Sequence, residues 1–454
     1  MPRELRRTTQ MSAVVDFPVR PEARPYLDAF AGRPSGEPEW LGARRRRGLA
    51  RFAEQGFPNR RSEAWRYIDL RALEEKPMLP VGVARTVAGA GTRDRLARGA
   101  FAEAAYRLVL VDGRFEPELS AVEGLPADVW LGGTAMTIVE RPDLVRPAIE
   151  TSLFDAERPF AALNAAFFGD GFVLDIPPGV TLDRPIEIVH LASGGRPGSL
   201  HTRSLVAAGR GSRALLLEAF IGEGSYWRND VVELRLSAEA EFSRVALVEE
   251  AAEALHIGEL LALLGPTSRL SNLVLLLGGR TVRHEATIRS DGEATQCALR
   301  GAFVISGRQE ANIVSTVDHA VPAGETREVF KGVAAGRAHG AFQGRIMVRP
   351  GAQKVDAHQL SQNLVLSPHA AIDTKPELEI YADDVKCSHG AAVGDLDEAA
   401  LFYMRTRGIG SEEARQMLIE AFVREVIEPL GPAPLREHLL SRLARRLAML
   451  EKSE

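Results

Sequence analysis

The segment DDVKCSHGAAVGDLDEAALFYMRTRGI, from Asp383 to Ile409, marks a change of architecture near the C-terminus. Before it the chain consists of short β-like segments, and after it the pattern is helical. Cys387 and His389 are two residues apart, so their side chains leave the same face of a β-strand. Gly390 and Gly394 are predicted to break that strand. A thiol and an imidazole therefore lie side by side where a β body meets a helical tail.

The tail has start and stop signals for several helices. Asp395 and Glu398 form a D-x-x-E capping box for a helix that Gly408 is placed to end, and Ser411 is predicted to cap the next. That second helix carries an apolar face: Met417, Leu418, Ala421 and Phe422. Such a face suits the docking of a partner, and it suits packing on the rest of the chain equally well.

Upstream, from Leu108 to about Val385, short segments alternate apolar and polar residues, and no long amphipathic helix intervenes. Examples are LVLVD, FVLDI, IEIVHL, VELRL, ATIRS, RIMVR, KVDAHQL and LEIYA. Recurrent strands without helices predict a sandwich, a barrel or a solenoid. A region of roughly 275 residues exceeds what one sandwich needs, which favours a solenoid, although no strict repeat is visible.

The N-terminal part is helical from about Trp40 to Leu73, and a Gly/Ala/Arg-rich stretch from Pro77 to Ala105 predicts a linker or irregular helices. The basic run Arg44 to Arg47 is interpreted as a solvated helix face rather than a phosphate site. We therefore expect three domains: a helical domain with its linker at 1–105, a β core at 106–392 and a helical domain at 393–454.

Composition narrows the function classes. The 454 residues carry a net charge of −5, which favours neither nucleic-acid nor membrane-surface binding. Two cysteines cannot form a disulfide framework and indicate a reducing compartment, with the cytoplasm as the expected location. The first residues carry arginines without an apolar stretch, and no apolar run reaches membrane-spanning length. Met11 is a second candidate start.

Several enzyme signatures are missing from the sequence. It contains neither the G-x-x-x-x-G-K-[ST] loop of ATPases nor a G-x-S-x-G nucleophile elbow. Gly209 to Ala214 fits G-x-G-x-x-A, but no helix pattern follows, so it is interpreted as a turn between strands. Six of the ten histidines lie between Thr281 and Gly390, and most are expected to be solvated or singly hydrogen-bonded rather than to form a metal path.

The chain resembles the SufD branch of the SufB/SufD family, the scaffold subunits of the SUF iron–sulfur cluster assembly machinery. The resemblance is carried, in the expected order, by SEAWRYIDL (Ser62 to Leu70), LVLVDGRF (Leu108 to Phe115), FAALNAAFFGDGFVLDIPPGV (Phe160 to Val180), LSPHAAIDTKPEL (Leu366 to Leu378) and TKPELEIYADDVKCSHGA (Thr374 to Ala391). It implies a mainly β fold, with a right-handed parallel β-helix core between N-terminal and C-terminal helical domains, and a non-enzymatic scaffold function.

The same resemblance implies where the chemistry lies. His389, with Cys387 as the second candidate, would handle a nascent cluster or iron at the interface with a SufB homologue, whose ligands would complete the site. Without the family, a lone C-x-H indicates a buried small cysteine, because two ligands do not close a tetrahedral site. When SufB is absent, a second copy of the chain would occupy its place.

A SufC-type ABC ATPase is the second partner that the resemblance implies, docked on the C-terminal helices between Asp395 and Ile427. The candidate contacts are Leu401, Phe402, Tyr403, Arg405, Arg407, Met417 and Phe422. No cofactor is expected to be tightly bound by the isolated chain. A transient iron–sulfur cluster or iron is expected in the complex, and reduced flavin is a further candidate ligand there, with no residues assigned to it.

Three rival interpretations stay open at this point. A β-helix carbohydrate-active enzyme needs clustered carboxylates and aromatic sugar platforms, whereas aromatics are 6% of this chain. A simple metal-binding module needs more ligands than the two in the CSHG motif. SufB is the rival within the family, but the LFYMRTRGI text and the scarcity of cysteine favour the SufD branch.

Overall fold

The computed structural model describes residues 19–33, 36–81, 90–99, 101, 106–150, 158–195 and 197–450. The candidate starts, and part of the predicted linker from Pro77 to Ala105, lie outside these ranges. The α-helices are α1 (Arg24–Ala31), α2 (Glu39–Gln55), α3 (Arg71–Glu75), α4 (Ala90–Gly99), α5 (Thr134–Glu140), α6 (Pro142–Glu150), α7 (Pro159–Phe167), α8 (Glu398–Thr406), α9 (Ser411–Ile427) and α10 (Ala433–Leu450). Short 3-10 turns are formed by Pro21–Ala23, Glu63–Trp65 and Pro117–Leu119.

The strands occupy the middle of the chain. They are β1 (Tyr106–Val111), β2 (Arg114–Phe115), β3 (Trp130–Gly133), β4 (Phe172–Ile176), β5 (Ile186–Ala192), β6 (Ser199–Ala208), β7 (Arg213–Gly222), β8 (Trp227–Leu236), β9 (Glu241–Glu249), β10 (Leu255–Leu264), β11 (Arg269–Leu276), β12 (Thr281–Ser290), β13 (Gln296–Ile305), β14 (Glu310–His319), β15 (Glu325–Ala334), β16 (His339–Val348), β17 (Asp356–Val365), β18 (Ala371–Ile380) and β19 (Lys386–Gly394).

Successive strands alternate between two sheets, as in a parallel β-helix. One sheet has ten strands in the order β19-β17-β15-β13-β11-β9-β7-β5-β1-β2, and the other has nine in the order β18-β16-β14-β12-β10-β8-β6-β4-β3. The β1–β2 and β3–β4 pairs are antiparallel, whereas the ladders along the body are parallel. Apolar residues of both sheets form one cluster in the interior. The predicted parallel β-helix with flanking helices is confirmed.

Unequal coil lengths account for the absence of a strict sequence repeat. Cys297, Thr326, Ala357 and Cys387 are successive register partners in one interior column. The steps between them are 29, 31 and 30 residues. Because only the strand register must be kept, turns can lengthen or shorten and erase the sequence period.

The interior of the solenoid is partly ionic. Arg244 donates through Nε to Glu218 at 2.5 Å and through Nη1 to Asn272 at 3.1 Å. The same Glu218 carboxylate lies 3.3 Å from Nε2 of His190. These four side chains are buried, so each must find its partner inside the fold.

Three helices interrupt the region that the sequence predicts as strands only. Helices α5, α6 and α7 lie between β3 and β4, and every residue of α7 is buried. Each has nine residues or fewer, and α7 is apolar on all sides, so no amphipathic period marks it. The G-x-G-x-x-A text, by contrast, forms the predicted turn, between β6 and β7.

The basic run on α2 is not uniformly solvated, so its interpretation as a solvated helix face is wrong for two of the four residues. Arg44 and Arg45 are buried. Nη1 of Arg45 donates to the carbonyl oxygens of Ala166 at 3.2 Å and Phe168 at 2.9 Å. The arginine thus satisfies carbonyl groups at the end of α7, where a helix leaves them unpaired.

The helix starts of the C-terminal domain also differ from the predicted ones. Asp397, not Asp395, is the N-cap of α8, and its side chain accepts hydrogen bonds from the Ala399 and Ala400 amides at 2.8 and 3.2 Å. Ser411 is the first residue of α9 and does not cap it by its side chain. Strand β19 also continues through Gly390 to Gly394.

Candidate functional site at the C-terminal end of the solenoid

Strand β19 is the last strand of its sheet, and it carries the Cys–His pair. Cys387 is the register partner of Ala357, and His389 is the partner of Gln359. Ala357 and Gln359 are buried and face the interior. In parallel strands, register partners point their side chains to the same face of the sheet. Cys387 and His389 therefore continue the interior columns of Ala357 and Gln359 at the open end. The two predicted ligands therefore share one face.

Their surroundings differ. Cys387 is half-buried and packs against the apolar cluster that contains Ile346, Val348 and Ala357. Burial raises the pKa of its thiol, and the Asp356 carboxylate acts in the same direction. His389 is exposed. The imidazole can therefore reach a ligand directly, whereas the thiol needs a nearby cation or metal to become a thiolate.

The open end is bordered by unpaired strand edges. Strands β18 and β19 are the terminal strands of their sheets, so no strand of the described part of the chain pairs with their outer backbone groups. Ile380, Tyr381 and Val393 are exposed apolar side chains at this end. Free edges and apolar side chains together are typical of a surface that another chain covers. Natural monomers usually protect such edges, and this end is not protected by the described residues.

The two ligand candidates do not form a complete metal site on their own. Within the described ranges, no group of three or more His, Cys, Asp and Glu side chains is arranged to hold a metal ion. Of the six histidines between Thr281 and Gly390, His339 pairs with Asp373 at 2.7 Å, and His358 contacts both Ser388 at 2.5 Å and Asp356 at 2.9 Å. A tetrahedral site at this end would need ligands from another molecule.

The C-terminal helices present two faces. Leucine and valine side chains of α9 and α10, among them Val423, Leu439 and Leu443, pack on the outer face of the ten-stranded sheet through Val245, Leu273 and Val304. The opposite side is exposed, with Phe402 at 68%, Tyr403 at 59% and Met417 at 47%. Both interpretations of the apolar pattern therefore apply, each to a different face.

The seven predicted contacts of an ATPase partner divide between these faces. Leu401 is buried beneath the surface, and Phe422 is partly buried, with the Lys331 ammonium 4.4 Å from its ring centre. Arg407 donates to the Tyr403 hydroxyl at 3.0 Å. Arg405 is exposed. We define the outer helical face as Phe402, Tyr403, Arg405, Arg407 and Met417.

A cavity beside the solenoid has a different character. It measures about 470 Å³ and lies between the Trp65 turn and the outer face of the nine-stranded sheet. Glu259 and Glu285 line it, but Nη1 of Arg158 lies between them, at 3.1 and 2.8 Å. The Arg283 guanidinium covers the Trp65 ring at 4.0 Å. A glycosidase needs free carboxylates and an open aromatic platform. In this cavity the carboxylates are paired with Arg158, and the Trp65 ring is covered by Arg283.

The fold and the site define a class: a parallel β-helix protein whose open end carries a Cys–His pair on its last strand. Comparison with known proteins gives the family. The description "SUF system FeS cluster assembly, SufBD core domain" matches residues 190–422, and "SufBD protein N-terminal region" matches residues 34–188. The chain therefore belongs to the SufBD family of iron–sulfur cluster assembly proteins.

Individual relatives make it SufD-like. The iron–sulfur cluster assembly protein SufD of Escherichia coli is 27% identical over 88% of this chain and 91% of its own length. A SufBD family protein of Synechocystis is 29% identical over 84% of this chain and 86% of its own. The chloroplastic protein ABCI7 of Arabidopsis thaliana is 29% identical over 84% and 81%. The predicted resemblance is confirmed. In the described residues, no helix has the length and hydropathy to cross a membrane.

Sequence reasoning did not identify the residues behind the Cys–His pair. Gln359 and Glu328, one and two coils below His389, are buried in the same interior column. Their spacing of about 30 residues is visible only once the register is known.

Proposed function

We propose that this chain is a non-enzymatic scaffold subunit for iron–sulfur cluster assembly. The open end of its solenoid would pair with a SufB-type subunit, and a nascent cluster or iron would be handled between the two. His389 and Cys387 are the ligands that this chain would contribute. The main support is their position: one face of a terminal strand, beside unpaired edges, in a number too small for a site of one chain.

The electrostatic arrangement is consistent with transfer rather than storage. A thiol whose pKa is raised by burial stays protonated until a metal ion approaches. An exposed imidazole next to it can bind first. The pair would thus load when the partner supplies iron or thiolates, and would release when the interface opens. In isolation, a second copy of this chain would cover the same edges. With two free cysteines, a reducing compartment such as the cytoplasm is the proposed location.

Replacing His389 with alanine is expected to leave the complex intact and remove its iron–sulfur content. The chain would be co-purified anaerobically with a SufB-type subunit and a SufC-type ATPase, followed by iron and sulfide determination. His369→Ala is the matched control, because His369 is also an exposed histidine near this end of the solenoid. An unchanged cluster in His389→Ala would show that the chemistry lies on the partner. Failure to bind either partner would end the scaffold proposal.

The outer helical face is proposed as the dock of the ABC-type ATPase. Phe402→Ala combined with Tyr403→Ala is expected to weaken that contact by about 30-fold or more, since exposed aromatics that become buried in an interface often contribute about 2 kcal/mol or more. Titration of the ATPase subunit, followed by calorimetry, measures this loss. Val139→Ala is the control, because Val139 is 79% exposed on α5, outside this face. Equal affinities for the two variants would exclude this surface.

A further inference from the structure

Behind His389 the interior column contains two buried polar side chains that are only partly hydrogen-bonded. Gln359 donates through Nε2 to Oε2 of Glu328 at 2.5 Å, and the Ser315 hydroxyl donates to the same oxygen at 3.1 Å. Gln359 and Glu328 are 2% and 1% exposed. Among the residues that the structure describes, Oε1 of Gln359 and Oε1 of Glu328 find no hydrogen-bond partner. Unsatisfied oxygens at such depth are uncommon and call for a physical explanation.

The amide of Gln359 is held in one orientation. Its nitrogen donates to Oε2 of Glu328, so the carbonyl oxygen on the other side of the amide points elsewhere. On the facing sheet, Gly344 lies against this amide, and a Cβ atom at that position would collide with Nε2. The glycine therefore provides the space that the amide fills. Because Nε2 of Gln359 is held in place and Oε1 is still available as an acceptor, the amide is suited to orient a third group.

We propose that Gln359 is a positioning residue for His389, accepting a hydrogen bond from one imidazole nitrogen through Oε1. His389 is its register partner on the next strand, and neighbouring strands lie about 4.8 Å apart. Rotation about the side-chain bonds of His389 would bring its exposed imidazole to this amide. That bond fixes the tautomer and leaves the lone pair of the other ring nitrogen available for iron. This inference rests on the proposed ligand role of His389.

The chain thus supplies an ordered support: Ser315 and Glu328 orient Gln359, and Gln359 orients His389. Histidines that bind metals generally donate their second ring N–H to a fixed acceptor, which raises the basicity of the ligating nitrogen. The support comes from three different strands, β14, β15 and β17, inside the packed solenoid. The terminal strand itself therefore needs only to carry the imidazole.

The tautomer of His389 provides a direct test. The full chain would be labelled with ¹⁵N-histidine and studied by long-range ¹H–¹⁵N correlation in mildly alkaline buffer, with His389 assigned through its absence in His389→Gln. A single tautomer is expected in the wild type. Gln359→Leu should give the mixed tautomers of a free imidazole. Gln359→Glu, which keeps the acceptor, should restore one tautomer. Gln362→Leu is the control, since Gln362 is on the same strand but bonds Lys331 instead.

The outcomes separate this inference from the proposed function. Mixed tautomers in the wild type, or one unchanged tautomer in Gln359→Leu, would overturn the positioning role. Gln359→Met, whose side chain has a similar length, replaces the leucine variant if that variant does not fold. In the anaerobic complex, Gln359→Leu should retain roughly tenfold less iron than the wild type, with rescue by Gln359→Glu. If His389→Ala keeps its cluster, the ligand role fails even where the tautomer is controlled by Gln359.

Discussion

Replacing Arg228 with methionine is expected to lower the free energy of unfolding by about 3–5 kcal/mol, because it leaves a buried carboxylate without its cation. Arg228 and Glu250 are buried inside the solenoid, and Nε of the arginine donates to Oε1 of the glutamate at 2.5 Å. His256 lies 3.0 Å from the same oxygen, and the Tyr226 hydroxyl donates to the other. The charge of the buried Glu250 carboxylate is therefore stabilised by these side chains and not by water.

The pKa of Glu250 shows how strongly the cluster favours the charged form. Burial alone would raise it, but Arg228 and His256 outweigh burial and hold the pKa at about 2, against an ordinary value of 4.5. A carboxylate with a lowered pKa stabilises the folded state above about pH 4.5, and this contribution is lost as the pH falls through about 2. The deficit of Arg228→Met should accordingly shrink in acid.

Chemical denaturation at neutral pH measures the effect. Arg213→Met is the matched control, since Arg213 pairs with Glu241 at 3.2 Å on the surface of the same solenoid, with 61% and 38% of the two side chains exposed. An exposed pair of this kind contributes about 0–1 kcal/mol. Similar losses in the two variants would mean that the buried cluster is not an important source of stability.

The strands of this fold were predictable because each needs only a local signal. Segments such as RIMVR and LEIYA alternate by residue, and alternation alone places one face inward. The same logic predicted that Cys387 and His389 share a face, which depends on a spacing of two. The helical tail was predicted as well, although the N-cap of α8 is Asp397 rather than Asp395, and the strand before it continues through the glycines that were expected to break it.

The charged residues of the interior could not be predicted, because an alternating pattern leads one to expect apolar residues on the inward face of each strand. In β8, Arg228 and Asp230 face the interior although they are charged. Their partners come from other coils, so the sequence around them carries no sign of compensation. The same holds for Arg45, which is buried and donates to carbonyl oxygens about 120 residues away in the sequence. A charged residue is assigned to the surface until its distant partner is known.

The proposed support for His389 was not visible in the sequence for the same reason. Gln359 and Glu328 are separated from it by one and two coils, and coil lengths vary. The strand register must therefore be known before residues of different coils can be assigned to one site. The sequence motif identified the exposed candidate ligand, and only the fold identified the buried residues behind it.

Replacing Glu328 with glutamine is expected to stabilise the protein at neutral pH, by up to about 3 kcal/mol, and to have little effect near pH 4.5. Burial raises the pKa of this carboxyl to about 7 from an ordinary 4.5, although hydrogen bonds from Gln359 and Ser315 act in the opposite direction. Between these two pH values the unfolded chain has released the proton while the folded chain still holds it. The free energy of unfolding of the wild type therefore falls as the pH rises from about 4.5 to about 7.

A glutamine at position 328 has no proton to lose and still offers an oxygen to the Ser315 hydroxyl and the Gln359 amide. The melting temperatures of wild type and Glu328→Gln, compared from about pH 4.5 to 8, should coincide in acid and diverge as the pH approaches 7. Glu325→Gln on the same strand is the control, because the Glu325 side chain is 45% exposed and pairs with Arg327 at 3.2 Å. A difference between wild type and Glu328→Gln that does not change with pH would mean that this interior carboxyl is already ionised at pH 4.5, and that its charge is satisfied inside the solenoid.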